Sequence, residues 1–220
     1  MIALISDIHG NFVALSKVLN EIDKLGIKEI YCLGDVSGYY LQVNEVCNEL
    51  RMRNVKCVLG NHDWHLISNT DSRSKTANHC LNYQRNIIAT EHLDWIASFP
   101  VYRKVEALAL VHGGWHNPID EYLVEPSVDY FDAIHGRFFA SGHTHKQILK
   151  VSYDKIYCNP GSVGQPRDGD TRAAFALFDG EGFELKRVEY DVEEICRLMK
   201  DAGFGEYYYN RLKTGAEHFV

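Results

Sequence analysis

The chain has 220 residues, 45% hydrophobic and 24% charged, which supplies one compact core and excludes the charge excess or core shortage of a disordered chain. A formal net charge of −7 and a pI of 5.9 exclude a general basic surface that would release counterions from nucleic acid, so no extended nucleic-acid surface is expected, although a bound cation still attracts phosphate locally. The scattered cysteines Cys32, Cys47, Cys57, Cys80, Cys158 and Cys196 form no CxxC pair and read as reduced thiols; with no signal-like N-terminus and no apolar run of roughly 20 residues, the expected class is a cytoplasmic enzyme or binding module without a membrane partner.

Short apolar runs closed by glycine or polar residues predict strands at Ile2–Ile5, Ile30–Leu33 and Val55–Leu59, with helical periodicity between them, hence βαβ units. Between the first two, Phe12, Leu15, Val18, Leu19, Ile22 and Leu25 keep helical spacing, with Asn11 as N-cap and Gly26 at the C-terminal stop. Val43, Val46, Cys47 and Leu50 give the next crossover helix its apolar face. From Asp71 to Ser98 the chain reads as polar and helical, with Leu81, Ile87, Ile88, Leu93, Trp95 and Ile96 buried and Pro100 ending the region. Strand patterns follow at Val101–Val105, Ala107–Val111, Phe138–Ser141, Ile148–Tyr153, Lys155–Cys158, Arg172–Phe178 and Phe183–Glu189, the last two joined by a hairpin turn over 179–182. Residues 191–220 return to helical spacing through Val192, Ile195, Leu198 and Met199, so the chain divides into a domain over 1–190 and a helical extension packed on it. The run Tyr207–Tyr209 either packs that tail on the body or forms a subunit contact in a homo-oligomer.

Five short motifs stand at the ends of predicted strands: Asp7-Ile8-His9, Gly34-Asp35, Gly60-Asn61-His62-Asp63, His112-Gly113-Gly114 and Gly142-His143-Thr144-His145. Strand ends are where an open α/β sheet gathers its site residues. Singly each motif is weak, since a lone Asp-x-His or His-x-His is more often a satisfied surface loop and Gly-Asp after a strand is usually a turn. Together they offer only Asp, Asn and His donors, a set suited to Mn, Fe, Zn, Ni or Mg, free of thiolate and large enough for two ions.

In order and placement the motifs resemble the DxH, GD, GNH(D/E), H and GHxH blocks of the calcineurin-like metallophosphoesterases, over a stretch from Asp7 to about Arg172. The resemblance implies an α/β fold, a four-layer αββα sandwich of two mixed β-sheets flanked by helices, with 1–190 as the metallophosphoesterase domain. It also implies two divalent metal ions as cofactors, manganese being the expected choice in vitro. Asp7, His9 and His145 would bind the first, Asn61, His112 and His143 the second, and Asp35 would bridge both. A bridging carboxylate suits ions roughly 3.5–4 Å apart, because its two oxygens reach both and offset their repulsion. Water between two dications loses its proton near neutral pH, so the expected reaction is attack of a metal-bridging hydroxide on phosphorus. His62 is implied as the catalytic acid for the leaving oxygen or a stabiliser of the phosphoryl oxygens, the alternative being a merely supporting or surface histidine. Asp63 either orients His62 or caps the following helix.

The protein serine/threonine phosphatases of the same superfamily carry arginines in the second and third blocks, GDxVDRG and RGNHE, that grip a dianionic phosphate. Here those places hold Tyr39 and Leu59, which favours a phosphodiester. The segment from Asn159 to Arg167 resembles the NPGS loop of the small bacterial and archaeal, YfcE-like phosphodiesterase branch. From it Arg167 is a candidate substrate contact, unless it pairs on the surface with Asp168 or Asp170, and Gly161 and Gly164 read as turn glycines rather than a phosphate cradle. His116 and Tyr39 are further candidate substrate contacts. Trp64, Trp115, Tyr39 and Tyr40 flank the motifs and offer faces for a nucleobase, packing being the plainer reading for Trp64. The expected partner is a small phosphoester or nucleotide substrate. A phosphomonoesterase or protein phosphatase, a dinucleoside polyphosphate hydrolase and a metal-free scaffold are the alternatives, the scaffold disfavoured because all seven ligand positions are filled.

Overall fold

The computed structural model describes residues 1–216, so the last four residues of the predicted 191–220 extension lie outside the described residues. The three N-terminal apolar runs pair as parallel strands β1 (Ile2–Ile5), β2 (Glu29–Cys32) and β3 (Lys56–Cys57), linked by α1 (Phe12–Lys24) and α2 (Val43–Met52). Asn11 caps α1, its side chain accepting from the Ala14 N–H at 3.0 Å, and Gly26 follows the helix at φ 72°. The first sheet is completed on the far side of β1 by the antiparallel hairpin β9 (Ala173–Phe178) and β10 (Phe183–Val188), in the order β10-β9-β1-β2-β3. In its turn Asp179 accepts from the N–H groups of Glu181 and Gly182.

The second sheet contains β4 (Tyr102–Val105), β5 (Leu108–Val111), β6 (Phe138–Ala140), β7 (Gln147–Ser152) and β8 (Lys155–Pro160) in the order β4-β5-β6-β8-β7. Its central three strands are parallel and its edges antiparallel. Side chains alternate along β1: Leu4 joins Leu33, Leu110, Phe138 and Ala176 between the sheets, while Ala3 and Ile5 cluster with Leu15, Val18 and Val46 beneath α1 and α2. On the outer face of the second sheet, Phe139 and Tyr157 are covered by Trp115, Leu123 and Phe131 from the long β5–β6 connection. The molecule is therefore the expected αββα arrangement of two mixed sheets flanked by helices.

The predicted 71–98 stretch is broken into α4 (Lys75–Ile87) and α5 (Thr90–Ala97), preceded by α3 (Asn61–Ser68), which the sequence did not outline. The break is made by Asn44, whose side chain donates to the Ile87 carbonyl at 2.8 Å and accepts from the Ala89 N–H at 2.9 Å. Ile87 is exposed rather than buried, because the buried face of α4 runs through Ala77, Cys80, Leu81 and Gln84. Strand β3 is shorter than the run Val55–Leu59 because the Leu59 N–H donates to the Pro100 carbonyl at 2.9 Å, turning the chain out of the sheet. Beyond α6 (Val192–Asp201), Phe204, Tyr209 and Leu212 pack with Val13, Tyr40 and Ala77; Tyr209 is buried and Tyr207 exposed, so the tyrosine run divides by face. No helix of the described residues is long and apolar enough to cross a membrane, and the six cysteines are buried and free.

Candidate metal centre

Each motif stands just past the C-terminal end of a parallel strand: Asp7 and His9 after β1, Asp35 after β2, Asn61 after β3, His112 after β5, His143 and His145 after β6. The packing of the two sheets brings these ends together. Five of the seven residues, Asp7, His9, Asp35, His143 and His145, have φ between 52° and 67°. That left-handed region is held in non-glycine residues only where the surroundings over-determine it, and such positions cluster at functional sites. Here the surroundings are backbone bonds between loops, with the Asp7 N–H donating to the Gly34 carbonyl at 3.1 Å and the His9 N–H to the Asp35 carbonyl at 2.9 Å. Gly60 lies so close to Asp35 that a Cβ would collide with its backbone nitrogen and carboxylate.

Three histidines share one polarity. The Nδ1–H groups of His9, His112 and His145 donate to the carbonyls of Ser37, Leu33 and Gln165 at 2.9, 2.7 and 2.6 Å. A carbonyl can only accept, so Nδ1 carries the proton and each Nε2 faces the cluster. The Nε2 atoms of His9 and His145 lie 3.0 Å apart, at 3.9 and 3.4 Å from Asp7 Oδ1. Asp7 Oδ1 is buried and has no hydrogen-bond partner among the described residues. Facing lone pairs beside an orphaned carboxylate oxygen are costly on their own and suit a cation. On the other side His112 Nε2 is 3.1 Å from both Asn61 Oδ1 and His143 Nδ1. Asp35 Oδ2 stands between the groups, 3.7 Å from His9 Nε2 and 3.4 Å from His112 Nε2, while Oδ1 accepts from the His62 N–H at 2.9 Å.

Electrostatics of the metal-free protein follow from this burial. Burial lifts the Asp7 carboxyl to about 7, holds the imidazoles of His9 and His145 well below their ordinary range, and pushes His143 down to about 2. Burial would also lower His112, but the Asp35 carboxylate overrides it and lifts the imidazole to about 10. Asp35, despite its own burial, is held well below the carboxylate range chiefly by His112. A proton on His112 thus does in the metal-free protein part of what a cation would do.

Residues 1–182 match the model of the calcineurin-like phosphoesterase superfamily domain. The chain belongs to that superfamily. It is 34% identical over 241 aligned positions to a protein of Methanocaldococcus jannaschii, with 98% of each chain covered. A metallophosphoesterase of Sphaerobacter thermophilus superposes with a TM-score of 0.86 at 31% identity, covering 98% of both chains. A protein from Pyrococcus horikoshii OT3 superposes at 0.85 with 24% identity, over 99% of this chain and 100% of that one, a likeness of fold. As a calcineurin-like phosphoesterase the protein is a divalent-metal-dependent phosphoric ester hydrolase, and the clusters Asp7-His9-His145, His9-Asp35-His62 and Asp35-His112-His143 are its candidate metal-ligating groups.

The remaining predicted residues divide. The buried His62 ring lies 4.7 Å from that of His9 and 4.9 Å from that of Tyr39; its Nδ1 lacks a hydrogen-bond partner among the described residues, and burial lowers it to about 4. Asp63 accepts from the Ser37 N–H and hydroxyl, both at 2.9 Å, and from the Gly60 N–H at 3.3 Å, so it caps α3 and does not orient His62. Arg167 turns inward over the Tyr39 ring, 5.5 Å from its centroid, with its Nε donating to Gln165 Oε1 at 3.1 Å. Asp168 and Asp170 are taken instead by Arg187 and Arg172. His116 is not brought to the cleft: its imidazole is 72% exposed and lies beside Glu121, because the loop after His112 turns outward. Trp115 packs against Phe131 and Phe139, Tyr40 is buried, and Trp64 is exposed rather than packed. Gly164 abuts the Ile8 carbonyl, leaving no space for a Cβ, which makes it a close-approach glycine.

Sequence reasoning missed the residues that position these groups. Gln165 is buried and tied three ways: its carbonyl accepts from His145, its side-chain oxygen from Arg167, and its amide donates to the Tyr40 hydroxyl at 2.9 Å. Gln84 accepts from the Gly38 N–H at 2.9 Å and donates to the Tyr40 carbonyl at 2.5 Å. A polar residue on the apolar stripe of α4 was the one available signal for it. Asp120, Tyr122 and Arg73 also line the 170 Å³ cleft above the cluster, with Tyr39, Asn61 and His62. Tyr122 lies against His143, ring centroids 4.0 Å apart, and no motif marks it.

Proposed function

We propose that this protein hydrolyses phosphodiester bonds of small or nucleotide-type substrates with two divalent ions as cofactors, manganese serving in vitro. In this reading Asp7, His9 and His145 hold one ion, Asn61, His112 and His143 the other, and Asp35 is shared. The observation that carries it is the position of Asp35 Oδ2 between His9 Nε2 and His112 Nε2, at 3.7 and 3.4 Å. Such ions, when bound, neutralise phosphoryl charge and acidify water for attack on phosphorus.

The chain's own groups supply orientation and selectivity. Backbone carbonyls fix the tautomers of His9, His112 and His145, and Asn61 contributes a neutral oxygen that leaves more positive charge on its side of the centre. Burial keeps the His62 imidazole neutral near pH 7, so it offers an N–H hydrogen bond to the leaving oxygen instead of an imidazolium proton. Arg167 directs one guanidinium over Tyr39, and with Tyr39 and Leu59 where phosphatases carry arginine, a singly charged diester is favoured over a dianionic monoester. A volume of 170 Å³ admits the phosphoryl group and its nearest substituents. A base or aryl group then lies against the exposed face of Tyr122, where stacking is worth ~1–3 kcal/mol. Six buried free thiols fit the reducing cytoplasm.

Hydrolysis of matched p-nitrophenyl mono- and diesters with Mn, Ni, Zn and Mg tests the reading. The expected result is metal-dependent preference for the diester that Asp35→Asn abolishes. Monoester preference, or an undiminished rate in the variant, contradicts it.

A further inference from the structure

The cleft has a charged outer end that the metal centre leaves unused. Arg73, in the turn before α4, and Asp120, in the loop after β5, meet there as an ion pair through Nη2 and Oδ2. Both line the same cavity as Asn61, His62 and His143, so the pair joins two segments across the mouth of the cleft. The second Asp120 oxygen lies 3.5 Å from His143 Nε2, a buried nitrogen without a hydrogen-bond partner among the described residues. The Arg73 side chain is 78% exposed.

These observations give the pair two arrangements. With Arg73 engaged, Asp120 is divided between a guanidinium and an imidazole. Exposed ion pairs of this kind add little stability, whereas a phosphate offers a guanidinium two charged oxygens in matched geometry. A ligand phosphate that takes Arg73 therefore displaces Asp120 readily and frees it to accept from His143 Nε2–H. That bond orients the ring whose Nδ1 faces His112. Neighbouring polar groups are already committed, Ser74 Oγ capping α4, the Ser72 N–H donating to Asn78 and His65 Nδ1 paired with Thr70 Oγ1 at 3.0 Å, so the guanidinium is the cationic group at this end suited to an anion.

We propose that Arg73 binds a second, non-scissile phosphate of the substrate, so that the preferred substrates are phosphodiesters that also carry a terminal phosphate. The inference rests on the phosphodiesterase reading above and assigns the outer half of the same cleft. Asp120 acts as the placeholder for that phosphate and, once released, as a positioning residue for His143.

The test uses the Mn-loaded full chain with thymidylyl-(3′→5′)-thymidine and its 5′-phosphorylated form. The expected result is about tenfold or greater preference in kcat/KM for the phosphorylated dinucleotide, expressed in KM, a difference of about 1.4 kcal/mol. Arg73→Ala brings that ratio close to one, and Arg73→Lys, which keeps the charge and loses the fork, retains part of it. Calorimetric binding of thymidine 3′,5′-bisphosphate against thymidine 3′-phosphate reads the same ratio without turnover. A wild-type ratio near one, or a ratio unchanged in Arg73→Ala even where both rates fall, overturns the inference and leaves diester hydrolysis standing. Cleavage of neither dinucleotide alongside cleavage of a monoester overturns the phosphodiesterase reading and this inference with it.

Discussion

Arg167 shows how a residue's role depends on a neighbour that carries no motif. Its guanidinium lies over Tyr39, a residue of the cleft wall, because Gln165 accepts from it and because Asp168 and Asp170 are occupied by other arginines. Arg167→Ala is therefore expected to raise KM for a diester by about 10–100-fold, the value of a hydrogen bond to a charged group, with steady-state kinetics as the measure. His62→Ala is expected to lower kcat by about 10²–10³-fold, as for loss of one aimed donor. Since burial keeps His62 neutral, kcat of the wild type should show no fall with rising pH across about 5–7; such a fall, absent from the variant, would instead mark an imidazolium acid. At this scale the convergence of Asp7, His9, Asp35, Asn61, His112, His143 and His145 was legible, because the motifs fix residue type and strand-end position together. His116 was misjudged, since four residues of separation from His112 say nothing of where a glycine-containing loop turns.

Among the elements, the loops between strands and helices carry the strain that aims the site. Gly60 lets the β3–α3 turn press on Asp35, so Gly60→Ala is expected to displace that carboxylate and weaken Mn binding at least about tenfold in calorimetry. Gly182→Ala, where a Cβ meets nothing within 4 Å, should bind Mn like the wild type. The strands and α1 were legible from period and capping, because those signals are local. The break between α4 and α5 was not, since Asn44 makes it from 45 residues away along the chain at Ala89. Helix α3 was hidden because its first turn consists of motif residues that read as chemistry rather than as a helical face.

For the whole molecule, the metal centre links folding to pH. His9, His62, His143 and His145 lie below the ordinary imidazole value of 6.5 in the metal-free protein, chiefly through burial. A lowered group contributes stability that is present above its unfolded value and lost as pH falls. His112, lifted to about 10 by Asp35 against burial, contributes stability that is present below 6.5 and lost as pH rises through 10. Asp7, lifted to about 7, and Asp63, lifted to about 6, both by burial, oppose the four histidines between 3.8 and 6.5 but are outnumbered. Melting curves of chelator-treated protein should accordingly peak near pH 6.5 and decline toward pH 9, while Mn-saturated protein, with the His112 proton displaced, should lose the part of that decline between 6.5 and about 8 and keep the later part, which belongs to the buried thiols raised by burial. Metal-free stability that keeps climbing to pH 9 contradicts this balance. The fold class was legible from the succession of βαβ units and later strands together with the motif resemblance. The pairing of β9 against β1, and the tail packed on α1 and α4, depend on contacts across most of the chain and leave no local trace.

Counting metal tests the shared-carboxylate claim most directly, by elemental analysis of Mn-reconstituted protein alongside activity as manganese is added. Two ions per wild-type chain are expected, with activity appearing with the second, and fewer than one tightly held ion in Asp35→Asn. One ion per chain at full activity, or two ions retained by Asp35→Asn, would contradict that claim.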